Sequence, residues 1–342
     1  MDEITSKSQM AKIRSFEKGF MAIHLINMGA ELGILEALNT AENGITSSDA
    51  ASKLGLHEPY ASIWFQTAYH FEIVDCDEKG RFQFQPHLNE ILGDRSSFKN
   101  YLANISGTAN LGHAMKEVPE YFRSGNKFEV YSTAEFSEGA YETTKNIHLV
   151  FLFMIFPKNE RLNQLMNQGI RFLDIGCGNG NLITQLAQHF NNCTFVGVNP
   201  DSFGIEAAKK KISEMDLEKS VSVINSGAEE LTHKEEFDIA NMVVTLHEIP
   251  PDVRPAAVAK AYDALKPGGC LQILDFPFPG KLEDFRGSVY EYAILDQFYE
   301  APWGVVHLST DEQEELLTTV GFKDIQRVSI GKGMFEFVTA TK

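Results

Sequence analysis

Residues 172–181 read F-L-D-I-G-C-G-N-G-N. An apolar run carrying one acid ends in three glycines, each two residues from the next. No other feature restricts the fold as much. A strand must stop there, turn tightly and hand over to a helix whose N-terminal N–H groups face the turn. The dinucleotide fingerprint G-x-G-x-x-G would place its third glycine at position 181. That position is Asn181, and the third glycine comes one residue early, at Gly180. The loop therefore departs from the nicotinamide-dinucleotide pattern but keeps its strand–loop–helix setting.

The segments beyond the loop strengthen that reading. Strand patterns are expected at Arg171–Ile175, residues 194–198, residues 220–225, residues 237–244 and residues 270–275. Helical patterns fall between them at residues 181–190, 202–215 and 251–265. Regular β-α alternation implies a parallel sheet covered on both faces. A helix at Thr310–Val320 and two closing strands, residues 324–330 and 334–341, place one antiparallel strand at or near an edge. The fold class is α/β: a Rossmann-like, seven-stranded, mostly parallel sheet.

The N-terminal third reads differently. Residues 16–38 have apolar positions at helical spacing, interrupted near Gly29. Thr46 or Ser47 caps a short helix ending near Leu54, and Pro59 opens a second that runs to about His70. The run F-E-I-V-D-C-D-E-K-G-R-F-Q-F-Q alternates and turns at Lys79-Gly80, as a β-hairpin does. Helix, turn, helix, hairpin is a winged-helix arrangement. From Leu54 through Glu78 there is no Lys or Arg, so the second helix lacks the cations a DNA-reading helix needs. Its aromatic residues favour packing against protein instead. Residues 1–95 are read as a winged-helix dimerisation domain, 96–168 as a helical connector, and 169–342 as the sheet domain.

Composition excludes more than it selects. Lys+Arg is 30 and Asp+Glu 47, a net charge of −17 over 342 residues, which disfavours nucleic acid or an anionic membrane as partner. Cys76, Cys177, Cys193 and Cys270 are scattered and form no C-x-x-C pair, as in a reducing compartment. No signal-peptide core is visible, and the longest apolar run, residues 149–156, is too short to span a bilayer. A cytoplasmic protein is expected. The ten histidines include no H-x-x-x-H or H-x-H pair, so no metal is expected.

With L-D-I-G-C-G-N-G, F-D-I-A-N-M-V-V-T-L-H-E-I-P-P-D and L-K-P-G-G in this order, the chain resembles the class I S-adenosylmethionine (SAM)-dependent methyltransferases. The first stretch fits that family's (D/E)-x-G-x-G-x-G motif. The match covers roughly residues 171–342. With its N-terminal module, the chain is also similar to O-methyltransferases of small aromatic metabolites. The resemblance implies that SAM is the cofactor and that Asp174, Gly176, Cys177, Gly178 and Gly180 surround its methionine end. It implies ribose contacts at Asn199 and Pro200, adenine-side contacts at Gly227, Ala228 and Glu229, and further contacts at Thr245 and Leu246. Two positions depart from the family pattern. Asn199 stands where an acid normally accepts both ribose hydroxyls, and Gly227 where an Asp often meets the adenine amine. Asp201 is the nearest substitute for the first.

Methyl transfer from a sulfonium needs alignment and, for a phenol or enol, removal of a proton. His247, just past the fourth strand, is the candidate base, with Glu248 and His307 in reserve. The expected partner is a small-molecule acceptor, aromatic or hydrophobic, and a homodimer is the expected assembly. Residues 276–307 carry eight aromatic side chains, Phe276 through Trp303. They form either a lid over a ring-bearing substrate or a packing surface for the N-terminal domain. Tyr131, Tyr141 and His148 are further candidates for the cleft.

Overall fold

The computed structural model describes residues 4–95, 97, 99–129, 133–144 and 146–342. The chain separates into two compact units, Met1–Glu117 and Val118–Lys342, which divide residues 96–168 between them.

In the first unit a 26-residue helix, Ser6–Glu31, is closed at its N-terminus by a Thr5/Ser8 capping box. Gly29 does not interrupt it. A Cβ there would lie 2.4 Å from Trp64 Cζ2, so glycine makes room for the indole. Trp64 Nε1 then donates to the Leu25 carbonyl at 2.9 Å. The helix stops instead at Leu32-Gly33, where φ of Gly33 is +76°. A short helix, Ile34–Thr40, comes next, followed by Ser47–Leu54, capped by Thr46, and Glu58–His70. They lead into an antiparallel hairpin, β1 (Val74–Cys76) and β2 (Phe82–Phe84). Their shared core is built on Ile34, Leu35, Trp64, Phe65 and Val74. Residues 6–21 of the long helix are exposed all round, and among them Met10, Ile13, Phe16, Phe20 and Met21 are all more than half exposed.

The second unit holds β3 (Arg171–Ile175), β4 (Thr194–Asn199), β5 (Val221–Asn225), β6 (Phe237–Val243), β7 (Leu265–Asp275), β8 (Lys323–Ile330) and β9 (Phe335–Thr341). Their order is β5-β4-β3-β6-β7-β9-β8. β9 alone is reversed against its neighbours and lies one place from the edge. The interior strands are buried on both faces, which is why β6 reads F-D-I-A-N-M-V rather than alternating. β7 begins five residues before the expected Cys270, with Leu265 paired to Phe237 and a register shift before Ile239. The chain turns from β4 on one side of β3 to β6 on the other, so the switch point of the sheet lies at the end of β3. The glycine loop is there. No single helix among the described residues is long and apolar enough to cross a membrane.

Candidate active site

A cavity of about 700 Å³ opens beyond the carboxyl ends of β3 to β6. Gly176, Cys177, Gly178 and Asn179 form its floor. Asn199, Pro200 and Asp201 come from the end of β4, Gly227, Ala228 and Glu229 from the turn after β5, and Thr245 and Glu248 from beyond β6. Ser137, Tyr141 and Thr144 of the helix Ala134–Thr144, with His148, line it as well. Tyr131 lies outside the described residues.

Gly176 is the residue the loop cannot replace. Its φ is +78°, and a Cβ would sit 2.2 Å from Thr245 Oγ1. Two strand ends thus approach with nothing between them, which keeps the cavity floor as bare backbone. Three expected contacts lie off the wall. Gly180, at φ +71°, caps the helix Asn181–His189. Leu246 is fully buried in the core. Asp174 lies beneath the loop, where its Oδ1 accepts a hydrogen bond from Asn241 Nδ2 at 2.8 Å. Burial pushes its carboxyl up to about 7, against the opposing effect of that bond.

The two departures from the family pattern have different outcomes. At β4, Asp201 is committed elsewhere. Its Oδ1 accepts from the Phe203 N–H at 2.9 Å to cap the helix Ser202–Glu214, and its Oδ2 accepts from Ser137 Oγ. Asn199 is left to face the cavity, its own carbonyl fixed by Asn225 Nδ2 and the Ser226 N–H. At Gly227 the missing carboxylate is present after all. A Cβ at position 227 would lie 2.3 Å from Glu229 Oε1 and 2.5 Å from Oε2. The Glu229 carboxylate folds back into the space that an aspartate side chain at position 227 would fill.

His148 is held neutral. Burial, with the charge of Lys211, lowers it to about 4. The Cys177 thiol is raised by burial and is inert at neutral pH.

His247 does not line the cavity. It is 4% exposed, and its Nδ1 lies 2.6 Å from Asp275 Oδ1. Its Nε2 faces Asp296 and Glu300 carboxylates, each at 3.8 Å. Its ring stacks on His307 at 4.2 Å. Burial alone would lower its pKa. The charge and hydrogen bond of Asp275, followed by Glu300 and Glu248, outweigh that and raise it to about 10. With both nitrogens facing acids, His247 is turned away from the cavity, whereas Glu248, the next residue, stands on its wall. The aromatic insertion is not a lid over this cavity, since none of residues 276–307 lines it. Phe276 instead stacks on Phe335 at 5.1 Å, and Phe278 on His307 at 5.2 Å. The insertion delivers Asp296, Glu300 and His307 to His247.

The sequence profile described as "Methyltransferase domain" matches residues 172–269, the segment that builds most of this cavity. The chain carries a methyltransferase domain. It is 32% identical, across 118 residues, to a malonyl-[acyl-carrier protein] O-methyltransferase of Priestia megaterium. That alignment takes in 34% of this chain and 41% of the relative. A ubiquinone/menaquinone biosynthesis C-methyltransferase of Rickettsia typhi is 26% identical over 204 residues, 54% of this chain and 81% of the relative. The chain spans about two fifths of the length of the first curated relatives it matches. Solved structures extend the likeness beyond the methyltransferase domain. Human N-acetylserotonin methyltransferase in complex with SAM superposes with a TM-score of 0.78 at 14% identity, covering 100% of this chain and 99% of that one. An O-methyltransferase family protein of Burkholderia thailandensis gives 0.76 at 14%, covering 99% of each chain. The chain has the O-methyltransferase fold.

Proposed function

We propose that this protein is a SAM-dependent methyltransferase acting on a small acceptor, with oxygen the favoured atom. The observation that carries the reading is the cavity at the switch point, floored by the bare backbone of Gly176–Gly178 and reached by the Glu229 carboxylate. A ligand with an amino-acid end and a nucleoside end fits those features. The ammonium would lie toward Asp174, the ribose at Asn199 and the adenine amine at Glu229. Asn199 offers one neutral acceptor where an acid would offer two, which weakens the ribose contact by about 1 kcal/mol.

Bound SAM brings the reactive methyl group. The chain's part is to align the acceptor and take its proton, and Glu248 on the wall is the group we assign to that task. The exposed apolar face of the helix Ser6–Glu31 is where we place a second copy of the chain, and the cytoplasm is the compartment that suits four free cysteines.

The test is incubation with trideuteriomethyl-labelled SAM and a panel of phenols, enols and thiols, read by mass spectrometry. The reading expects one labelled methyl on at least one oxygen acceptor, and turnover lost in Glu248→Gln at unchanged SAM affinity. Label on a carbon or sulfur acceptor alone would revise the acceptor atom. SAM binding with no labelled product would leave a cofactor-binding protein without transfer.

A further inference from the structure

His247, Asp296, Glu300 and His307 come from three separated stretches, yet one donor atom from each lies within 4.8 Å of all the others. His307 Nε2 is 3.3 Å from Asp296 Oδ2, and His247 Nε2 is 3.8 Å from Asp296 Oδ2 and from Glu300 Oε2. Donors held about 2.1 Å from one ion lie roughly 3 to 4 Å apart, so the observed cage needs little adjustment to close.

Two of these atoms lack a well-formed hydrogen bond. Glu300 Oε2 and His307 Nε2 are both fully buried and unsatisfied, in residues 5% and 3% exposed. Both are aimed into the same small space.

The surroundings hold the donors as a metal site requires. Asp275 Oδ1 is 2.6 Å from His247 Nδ1 and also accepts from the Phe276 N–H. This holds a proton on Nδ1 and aims Nε2 inward, where a bound ion would take the place of the Nε2 proton, the carboxylate–histidine arrangement that orients metal ligands. Asp296 and Glu300 are four residues apart on the helix Glu291–Glu300 and share a face. Buried Arg254 donates through Nη2 to the carbonyls of His247 and Val306, tying the two histidine-bearing segments together. Gln297 Oε1 accepts from the His307 N–H, and Gln297 Nε2 donates to the Val305 carbonyl.

We propose that His247, Asp296, Glu300 and His307 bind one divalent first-row transition-metal ion, of the Mn-to-Zn series. Two imidazoles beside two carboxylates select such ions over Mg²⁺ or Ca²⁺, which prefer all-oxygen sets. The site lies beside the cavity, since Thr245 and Glu248 on either side of Leu246-His247 line the wall.

The test uses untagged full-length protein, stripped with chelator and dialysed, then titrated with Co²⁺ and Zn²⁺. The proposal expects one equivalent bound, a Co²⁺ absorption spectrum of nitrogen–oxygen ligation and a raised Tm. His307→Ala and Glu300→Gln should weaken binding at least 100-fold, and Mg²⁺ should not compete. Folding of each variant is checked by SAM binding and circular dichroism. If stripped wild-type protein takes up less than a tenth of an equivalent, or Mg²⁺ binds as tightly as Co²⁺, the proposal is overturned. These readouts are independent of methyl transfer, so failure of the proposed activity would not affect them.

Discussion

The two flanks of the sheet's carboxyl edge are built on opposite principles. On the β3–β5 flank the floor is backbone and the space is open. On the β6–β7 flank the space is closed, four ionisable side chains crowd together, and two buried atoms are unpaired. The first flank is written in short contiguous motifs. The second is assembled from positions 247, 275, 296, 300 and 307, and its charge balance depends on all of them. One flank is therefore expected to respond to mutation through ligand affinity, and the other through stability and pH.

The sharpest way to break the contrast is Gly176→Val. The side chain would meet Thr245 and force a positive φ on a β-branched residue. SAM affinity by calorimetry should fall more than about 100-fold, while the Co²⁺ affinity of the other flank stays within a few-fold. Next comes the exchange of carboxylates. Glu229→Ala should cost about tenfold in SAM affinity, roughly 1.4 kcal/mol. Gly227→Asp alone should also weaken binding, because the introduced carboxylate and that of Glu229 would compete for one space. The double variant Gly227→Asp/Glu229→Ala should recover most of the loss. Independent, additive losses would show that Glu229 does not replace the absent aspartate.

On the other flank, His247→Gln should lower Tm by about 5 °C near neutral pH. The pKa of His247 is raised in the folded chain, to about 10 from 6.5, so its stabilisation is complete below pH 6.5 and is lost as pH rises through 10. In metal-free protein the gap between wild type and variant should therefore close toward pH 10. A gap independent of pH would mean that the imidazolium contributes only by packing. The smallest effect is expected at Asp174→Asn. The Asp174 carboxyl titrates near 7 when folded and near 3.8 when unfolded, so it costs stability progressively as pH rises through that window. The variant should gain about 3 °C above pH 7 and match wild type near pH 4.

The sheet and the cofactor flank were largely legible in the sequence. The strand patterns fell within a few residues of β3 to β9, because parallel strands and glycine loops are specified by neighbours in the chain. Cys177, Gly178, Asn199 and Ala228 line the cavity. The interruption expected near Gly29 falls at Leu32-Gly33, because Gly29 stays helical and makes room for an indole that propensity cannot reveal. His247 followed β6 as expected, but its position gave no hint that Asp275 and Glu300 would keep it charged. The cluster was missed because a search for neighbouring histidines cannot join residue 247 to residues 296–307. One trace was there: Asp296-x-x-x-Glu300, with His307 seven residues on, inside an insertion noticed only for its rings.

The central claim is that the cavity at the end of β3 holds SAM despite Asn199 and Gly227. Calorimetric titration with SAM and, separately, with S-adenosylhomocysteine tests it most directly. One site per chain with micromolar affinity for both ligands is the expected result. No heat from either ligand at millimolar concentration would contradict the claim and leave the glycine loop to a different ligand.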